Sequence, residues 1–249
     1  PIRMIAKNGG QGMRRHFHVA FIGAVVALCL PAGVPAAEEL AAASVGDTAA
    51  VPDNAGAIGR VHPGSGRYCT GTLVARKTVV TAAHCLVDPR SKRWIRAESL
   101  HFLGGYRIGQ YDYHARVASY TASPAYNPKE PQRSLAADWA MLTLTDTSDE
   151  GAPIRSRRGE AGNMVGEVTG YAMQKKYALS TSEPCKMQKI GFLLFGECKA
   201  LLGMSGAPLI DVATGEILGI QVAAGNREGR DFMVAVPASN WRKALEGAR

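Results

Sequence analysis

The sequence contains no apolar run long enough to span a lipid bilayer. Its longest uninterrupted run extends from Val19 to Leu30 and has 12 residues, whereas a transmembrane helix needs about 20. No internal repeat is visible, and apolar residues at helical spacing are sparse. A membrane-spanning protein, a repeat array and a helical bundle are therefore not indicated.

Cysteine is scarce, and its spacing is not that of a zinc site. No C-x2-C pair occurs, so neither a metal nor another cofactor is predicted. Outside the N-terminal apolar run, four cysteines remain: Cys69, Cys85, Cys185 and Cys198. If the chain is exported, an even number of cysteines indicates two disulfides. Three pairings are possible, and the local one joins Cys69 to Cys85 and Cys185 to Cys198.

Basic residues are not concentrated in one region. The clusters "RSKRW" and "RSRR" stand alone in a chain with 29 basic and 21 acidic residues. Such dispersed charge is typical of a solvated surface rather than of a nucleic-acid groove. Nucleic acid is therefore not expected as a partner.

The N-terminal region has the three-part pattern of a secretory signal. Arg14 and Arg15 precede the apolar run, and small residues that suit a signal peptidase follow it up to Ala36. We predict an N-terminal extension and signal peptide over residues 1–36, with cleavage after Ala36. The segment holds four basic residues and no acid, so its removal lowers the net charge from +8 to +4.

The signal peptide predicts that the mature protein is secreted or periplasmic, without stable membrane insertion after signal removal. Residues 37–55 are rich in alanine with some Asp, Pro and Gly, and we interpret them as a propeptide or flexible arm. Residues 56–249 then form the folded domain. Its oligomeric state does not follow from the sequence.

Short β-branched and apolar runs, separated by Gly, Pro, Asn and Asp, predict a mostly β domain. These runs are Ala57–His62, Cys69–Ala75, Thr78–Ala82, Leu100–Leu103, Ala115–Thr121, Ala140–Thr145, Met164–Tyr171, Lys186–Phe195, Pro208–Val212, Ile217–Val222 and Asp231–Pro237. The C-terminal stretch "PASNWRKALEGAR" is the best helix candidate. Ser239 or Asn240 can cap it, and Trp241, Ala244 and Leu245 share one face. This order suits two packed β-barrels or a large sandwich.

Three polar residues lie at turns beside these strands. Ser205 lies in "GMSGAPL", where it is either a turn residue or a nucleophile that flanking glycines leave accessible. His84 follows a strand in "TAAHC", and Asp138 precedes one in "DWAMLTL". A serine hydroxyl needs a base such as His84, and a carboxylate such as Asp138 can hold the imidazole tautomer. The backbone N–H groups of Gly203 and Ser205 can bind the developing oxyanion.

The order His, Asp, Ser with these motifs resembles the chymotrypsin-like serine proteases over roughly residues 56–245. The last third is most similar to the bacterial branch that includes glutamyl endopeptidases, through "GMSGAPL", "ILGIQVAAG" and "DFMVAVP". The resemblance implies an all-β fold of two antiparallel barrels with a C-terminal helix. It also implies a catalytic triad of His84, Asp138 and Ser205 at the junction of the barrels.

The sequence departs from the trypsin pattern around the nucleophile. Met204 stands where trypsin-type enzymes carry the aspartate that pairs with a new N-terminus, so we expect an oxyanion loop that is preformed or ordered by other contacts. Lys199 stands where trypsin has the pocket aspartate, and it either attracts an acidic side chain or points to solvent. Gln221 occupies the position of the histidine in glutamate-specific relatives.

The remaining substrate-binding candidates lie on the strand edge that follows Gln221. Val222, Ala223 and Ala224 can pair with substrate backbone as an added β-strand and leave the pocket fairly open. The sequence therefore predicts an exported serine endopeptidase of protein or peptide substrates, without trypsin-like specificity. A catalytically silent homologue that binds peptides or surfaces is the alternative. A serine esterase is disfavoured because the chain order differs from that of α/β-hydrolases.

Overall fold

The computed structural model describes residues 55–64, 66–146, 152–159, 164–199 and 201–247. The predicted signal peptide, and the predicted arm up to residue 54, lie outside the described residues. Within them the chain forms antiparallel strands and one α-helix, with short 3-10 turns between strands. The α-helix is not of the length and apolarity that a bilayer crossing requires.

The N-terminal strands close into a six-stranded antiparallel barrel, in the spatial order β1-β2-β3-β6-β5-β4. Its members are β1 (Ile58–His62), β2 (Cys69–Ala75), β3 (Thr78–Thr81), β4 (His101–Gly104), β5 (Tyr113–Ala122) and β6 (Ala140–Leu144). In β5, buried Ala115 and Val117 alternate with exposed His114 and Arg116. This period-2 pattern is what the pleat of a strand with one buried face requires.

The C-terminal strands form a second barrel, in the order β11-β12-β13-β10-β9-β7, which a β11–β7 pairing closes. Its strands are β7 (Met164–Gly170), β9 (Cys185–Ile190), β10 (Leu193–Gly196), β11 (Pro208–Asp211), β12 (Ile217–Arg227) and β13 (Arg230–Pro237). The two-residue β8 (Ser180–Thr181) adds to β7 outside the ring. The prediction of two antiparallel barrels is confirmed, and the sandwich alternative is wrong.

The single strand predicted over Lys186–Phe195 is wrong, because the chain reverses there between β9 and β10. Gly191 adopts φ +59° at the turn, a conformation that glycine adopts without steric cost. The neighbouring residues Ile190, Phe192 and Leu193 are all apolar. The turn is therefore hidden in the sequence by an apolar run that lacks the usual polar turn residues.

The C-terminal helix α1 (Ala238–Gly247) begins before both predicted caps, so the prediction that Ser239 or Asn240 caps it is wrong. Its buried face consists of Trp241 and Leu245, with Ala244 partly buried beside them, as the spacing predicts. Trp241 has no exposed surface, and burial of such a side chain contributes about 2–3 kcal/mol. The helix is thereby fixed against the core.

The four cysteines form the local pairing. Cys69 bonds to Cys85 across 16 residues, and Cys185 bonds to Cys198 across 13. The first disulfide ties the start of β2 to the turn after β3. The second ties the start of β9 to the segment that precedes the Ser205 loop.

Candidate active site

The centre of the site is a histidine paired with a buried carboxylate. His84 Nδ1 lies 2.6 Å from Asp138 Oδ2, and the backbone N–H of His84 donates to Asp138 Oδ1 at 2.9 Å. The Asp138 side chain is 2% exposed and that of His84 is 30% exposed. One carboxylate thus orients both the ring and the backbone of His84, while part of the ring remains open to solvent.

Neighbouring strands bring these two residues together. His84 lies in the 3-10 turn Ala83–Leu86, directly after β3, and Asp138 lies two residues before β6. Strands β3 and β6 are paired, with Thr81 opposite Ala140. The residues just beyond these paired positions therefore meet at the same end of the first barrel.

Two buried aromatic residues lie near Asp138, one of them next to it in the chain. Trp139 and Tyr126 are both buried, and the Ser123 N–H donates to the Trp139 carbonyl at 3.1 Å. Burial, with a smaller contribution from the Asp138 carboxylate, raises the pKa of the Tyr126 phenol. The phenol is therefore a neutral neighbour of Asp138 across the physiological range.

The Ser205 segment is shaped by two glycines with positive φ. Gly203 has φ +91° and Gly206 has φ +80°, a region that side chains other than glycine rarely adopt. A Cβ on Gly206 would lie 2.3 Å from the Thr70 carbonyl oxygen and 2.4 Å from Thr81 Oγ1. Glycine at this position therefore allows the serine segment to contact the backbone of the first barrel.

Thr70 is the point at which the serine segment joins the first barrel. Its N–H donates to the Ser205 carbonyl at 2.9 Å, and its carbonyl accepts from Thr81 Oγ1 at 2.7 Å. Its own hydroxyl accepts from the Tyr171 N–H at 3.1 Å. Thr70 belongs to no catalytic motif of the sequence, and its position directly after Cys69 is the one local signal that points to it.

The structure brings Ser205 beside the His84 region without a hydrogen bond between the two side chains. Cys85 Sγ, next to His84 in the chain, lies 4.0 Å from the Ser205 carbonyl oxygen. Within the described ranges, Ser205 Oγ makes no hydrogen bond to the imidazole. Catalytic hydrogen bonds are often long in unliganded enzymes and tighten when substrate binds.

A comparison with protein-family models assigns the chain to a peptidase family. The model of the trypsin-like peptidase domain matches residues 69–220, which is more than half of the chain. The chain belongs to this family. That membership classes the chain as a serine endopeptidase. Among curated proteins, no relative matches significantly.

Two other proteins with solved structures have the same fold as this peptidase. A Glu endopeptidase in complex with MPD has a TM-score of 0.65 at 17% identity, and the match covers 82% of this chain and 95% of that chain. A thermostable serine protease, AL20, from an extremophilic microorganism has a TM-score of 0.62 at 17% identity, with 79% and 98% covered. At such low identity these likenesses describe the fold alone.

The predicted pocket residues of the peptidase differ in burial. Lys199 is exposed. Gln221 is buried, its Nε2 lies 3.4 Å from the Leu201 carbonyl oxygen, and its Oε1 has no partner among the described residues. Ala223 and Ala224 are half-buried on β12, beside buried Val222. Gln221, Val222, Ala223 and Ala224 thus follow one another on β12, whereas Lys199 is exposed to solvent.

Three side chains of kinds that can bind a metal lie close together at the candidate active site of the peptidase. Cys69, Cys85 and His84 place their ligand atoms within 4.8 Å of one another. Both sulfurs are bonded to each other, so neither is available as the thiolate that a metal would need. The proximity is a consequence of the disulfide that holds the His84 turn.

Proposed function

We propose that this chain is an exported serine endopeptidase whose triad is His84, Asp138 and Ser205. The observation that carries the proposal is the His84–Asp138 pair at 2.6 Å, with its carboxylate 2% exposed. A carboxylate in this position stabilises the imidazolium that forms when histidine takes a proton. The hydrogen bond from Thr70 to the Ser205 carbonyl supports the assignment of the third member.

In the proposed mechanism, Ser205 Oγ attacks the carbonyl carbon of the scissile bond while His84 Nε2 takes the hydroxyl proton. The tetrahedral intermediate collapses to an acyl-enzyme as His84 returns that proton to the leaving amine. Water then hydrolyses the acyl-enzyme by the same two steps, with Ser205 as the leaving group. It attacks the ester carbon, His84 takes its proton, and the acid product leaves as Ser205 regains its hydrogen.

The N–H groups of Gly203 and Ser205 are the proposed oxyanion hole. Within the part of the chain that the structure describes, neither group donates a hydrogen bond. Buried or half-buried N–H groups are normally paired, so two free donors beside a candidate nucleophile suit an oxyanion. Donors fixed in this way contribute substantially to acyl transfer.

The proposed specificity is not tryptic. Lys199 replaces the aspartate that would bind a basic side chain, and Gln221 lines the pocket as a neutral group. The edge formed by Val222, Ala223 and Ala224 accommodates substrate backbone as an added strand. Comparison of peptide substrates with Glu, Ala, Leu and Arg before the scissile bond tests this proposal, and a preference for Arg would contradict it.

Export is supported by two disulfides, because such bonds persist in oxidising compartments. We propose that residues 1–36 are the signal, that residues 37–55 are a propeptide or arm, and that residues 56–249 are the protease domain. N-terminal sequencing of the secreted protein tests this division.

A silent peptide-binding homologue is the second candidate. It is favoured by the missing hydrogen bond between Ser205 Oγ and His84 within the described ranges. Buried Met204, which offers no charge for trypsin-type activation, also favours it. The two candidates differ in whether the Ser205 hydroxyl is activated.

Fluorophosphonate labelling with site mapping by mass spectrometry distinguishes them. We expect labelling at Ser205 that is lost in Ser205→Ala and in His84→Ala, while Ser119→Ala, at an exposed serine on β5, labels normally. If the folded protein fails to label, a truncation that starts at residue 56 separates latency from silence. Labelling that appears after truncation indicates a latent protease, and continued absence indicates a silent homologue.

A further inference from the structure

A buried arginine without an acidic partner lies between the first barrel and the segment after β7. Arg60, on β1, is 7% exposed. Among the described residues no carboxylate pairs with it. Its guanidinium lies 4.0 Å from the ring centres of Tyr68 and Tyr106 and 5.3 Å from that of Tyr171. A buried charge is costly unless it is compensated, and three tyrosine faces provide cation–π compensation here.

The guanidinium holds a segment of the second barrel. Arg60 Nη2 donates to the carbonyl of Lys176, in the segment of residues 171–178 that we call the strap. Two further bonds attach the strap to the first barrel. The Tyr68 hydroxyl donates to the Ala172 carbonyl at 3.4 Å, and the Ile108 N–H donates to the Tyr177 carbonyl at 2.8 Å.

The strap in turn contacts the loop that carries Ser205. The Met173 N–H donates to the Leu202 carbonyl at 2.8 Å. A Cβ on Gly203 would lie 2.6 Å from Met173 Cγ and 2.9 Å from Met173 N, so the two backbones are in direct contact. The strap therefore connects the buried Arg60 to the peptide bond between Leu202 and Gly203.

The Leu202–Gly203 peptide decides where the Gly203 N–H points. In a planar trans peptide the C=O and the following N–H point in opposite directions. The bond from Met173 fixes the Leu202 carbonyl and therefore fixes the opposite direction for the Gly203 N–H. Without that bond the peptide is free to rotate, and Gly203, which has no Cβ, offers little resistance.

We propose that Arg60 is a positioning residue for the oxyanion hole. Through the strap and Met173 it fixes the Leu202–Gly203 peptide in the orientation that presents the Gly203 N–H to substrate. It thereby orders a loop in which Met204 replaces the charged residue of trypsin-type enzymes. This inference rests on the proposed function, since it concerns the oxyanion hole of that mechanism.

The test compares Arg60→Met and Arg60→Lys with the wild type, and uses Arg107→Met as the matched control. Arg107 lies in the neighbouring loop and is exposed. Loss of one oxyanion donor lowers kcat by about a hundred- to a thousandfold. We expect a fall in kcat of about ten- to a hundredfold for Arg60→Met, because the donor is misdirected only part of the time. Arg60→Lys should recover part of the loss, and Arg107→Met should not change kcat.

Two readouts separate positioning from a merely structural role. KM should stay within about threefold of wild type, because the interaction acts in the transition state. A boronic acid, which forms a tetrahedral adduct with serine, should lose affinity in parallel with kcat. Unchanged kcat in folded Arg60→Met, or a change confined to KM, overturns the proposal.

Hydrogen exchange gives a measurement that does not depend on activity. Peptides covering the strap, residues 171–178, which include the Met173 N–H that donates to Leu202, should exchange faster in Arg60→Met, while those from β2 and β3 keep their wild-type rates. If the wild type neither labels nor turns over substrate, even when truncated to start at residue 56, the proposed function fails, and this exchange comparison alone decides the role of Arg60. If Arg60→Met does not fold, Met173→Pro removes the donor to Leu202 directly. Wild-type kcat and wild-type boronic acid affinity in folded Met173→Pro overturn the proposal.

Discussion

In the first barrel, the candidate catalytic pair is fixed by side-chain bonds: one buried carboxylate of Asp138 accepts from both the ring and the backbone of His84. In the second barrel, the Ser205 segment is fixed through its backbone. Its carbonyl accepts from Thr70, and its shape depends on Gly203 and Gly206 at positive φ. Substitutions should therefore act differently in the two halves. Side-chain changes should affect chemistry in the first, and backbone changes should affect folding in the second.

The two barrels also differ in their histidine content. His62, His84, His101 and His114 all belong to the first barrel, and no histidine occurs after His114 in the sequence. Because the pKa values of His62 and His101 are lowered, mainly by burial, a response to mild acid should be concentrated in the first barrel.

The largest expected effect on rate comes from Asp138→Asn. The amide keeps an oxygen near His84 but no longer enforces the tautomer in which Nδ1 carries the proton, so kcat should fall by about ten-thousandfold. Unfolding in urea should change little by comparison, because the amide fills the same volume. Steady-state kinetics on a peptide ester measures the effect.

The matched control for Asp138→Asn is Asp146→Asn. Asp146 is an exposed aspartate just after β6 that accepts a hydrogen bond from Thr145. The kcat of Asp146→Asn should equal that of the wild type. A loss of less than tenfold in Asp138→Asn would mean that the carboxylate is a structural support of the first barrel rather than part of the triad.

The largest expected effect on stability comes from Gly206→Ala in the second half of the site. The left-handed conformation costs about 1–2 kcal/mol for alanine. The new Cβ would also overlap the Thr70 carbonyl oxygen at 2.3 Å. Together these should lower the free energy of unfolding by more than about 3 kcal/mol, as measured by urea denaturation.

Gly215→Ala separates the two contributions in Gly206→Ala. Gly215 also has a positive φ, of +69°, but a Cβ there meets nothing within 4 Å. It should lose only the conformational cost of about 1–2 kcal/mol. Equal destabilisation by the two variants would show that the contact between Gly206 and the first barrel contributes nothing.

Local features of both halves could be predicted from the sequence. Ten of the eleven expected strands correspond to single strands, because alternation and turn residues are local signals. The turn at Gly191 was missed because its neighbours are apolar. His84, Asp138 and Ser205 stood out because each lies in a recognisable short motif. Their roles as a triad remain a prediction.

Contacts between distant segments could not be predicted in the same way. Thr70 joins segments that are 11, 101 and 135 residues away in the sequence, at Thr81, Tyr171 and Ser205. The three tyrosine rings that surround the Arg60 guanidinium come from three different loops. Such groupings depend on barrel closure and on the packing of one barrel against the other, and no local pattern encodes them.

The smallest expected effect concerns the histidines on the outer face of the first barrel. His101 and His114 share a hydrogen bond of 2.7 Å between Nδ1 and Nε2, and His62 lies opposite His101 in the β1–β4 register. Burial, followed by the charges of His114, Arg116 and His62, lowers the pKa of His101. Burial and the Arg60 charge likewise lower the pKa of His62.

A histidine whose pKa is lower in the folded state favours folding in its neutral form. Its contribution is complete above the unfolded-state pKa of about 6.5 and is lost as the pH falls below that value. Acidification from pH 7 to pH 5 should therefore loosen β4 and β5 more than β11 and β12. Hydrogen exchange, corrected for the intrinsic pH dependence, measures the difference between the barrels. His101→Gln keeps a hydrogen-bonding side chain without the titration, so it should reduce the acid response of β4 and β5, and an unchanged response would assign it to carboxylates instead.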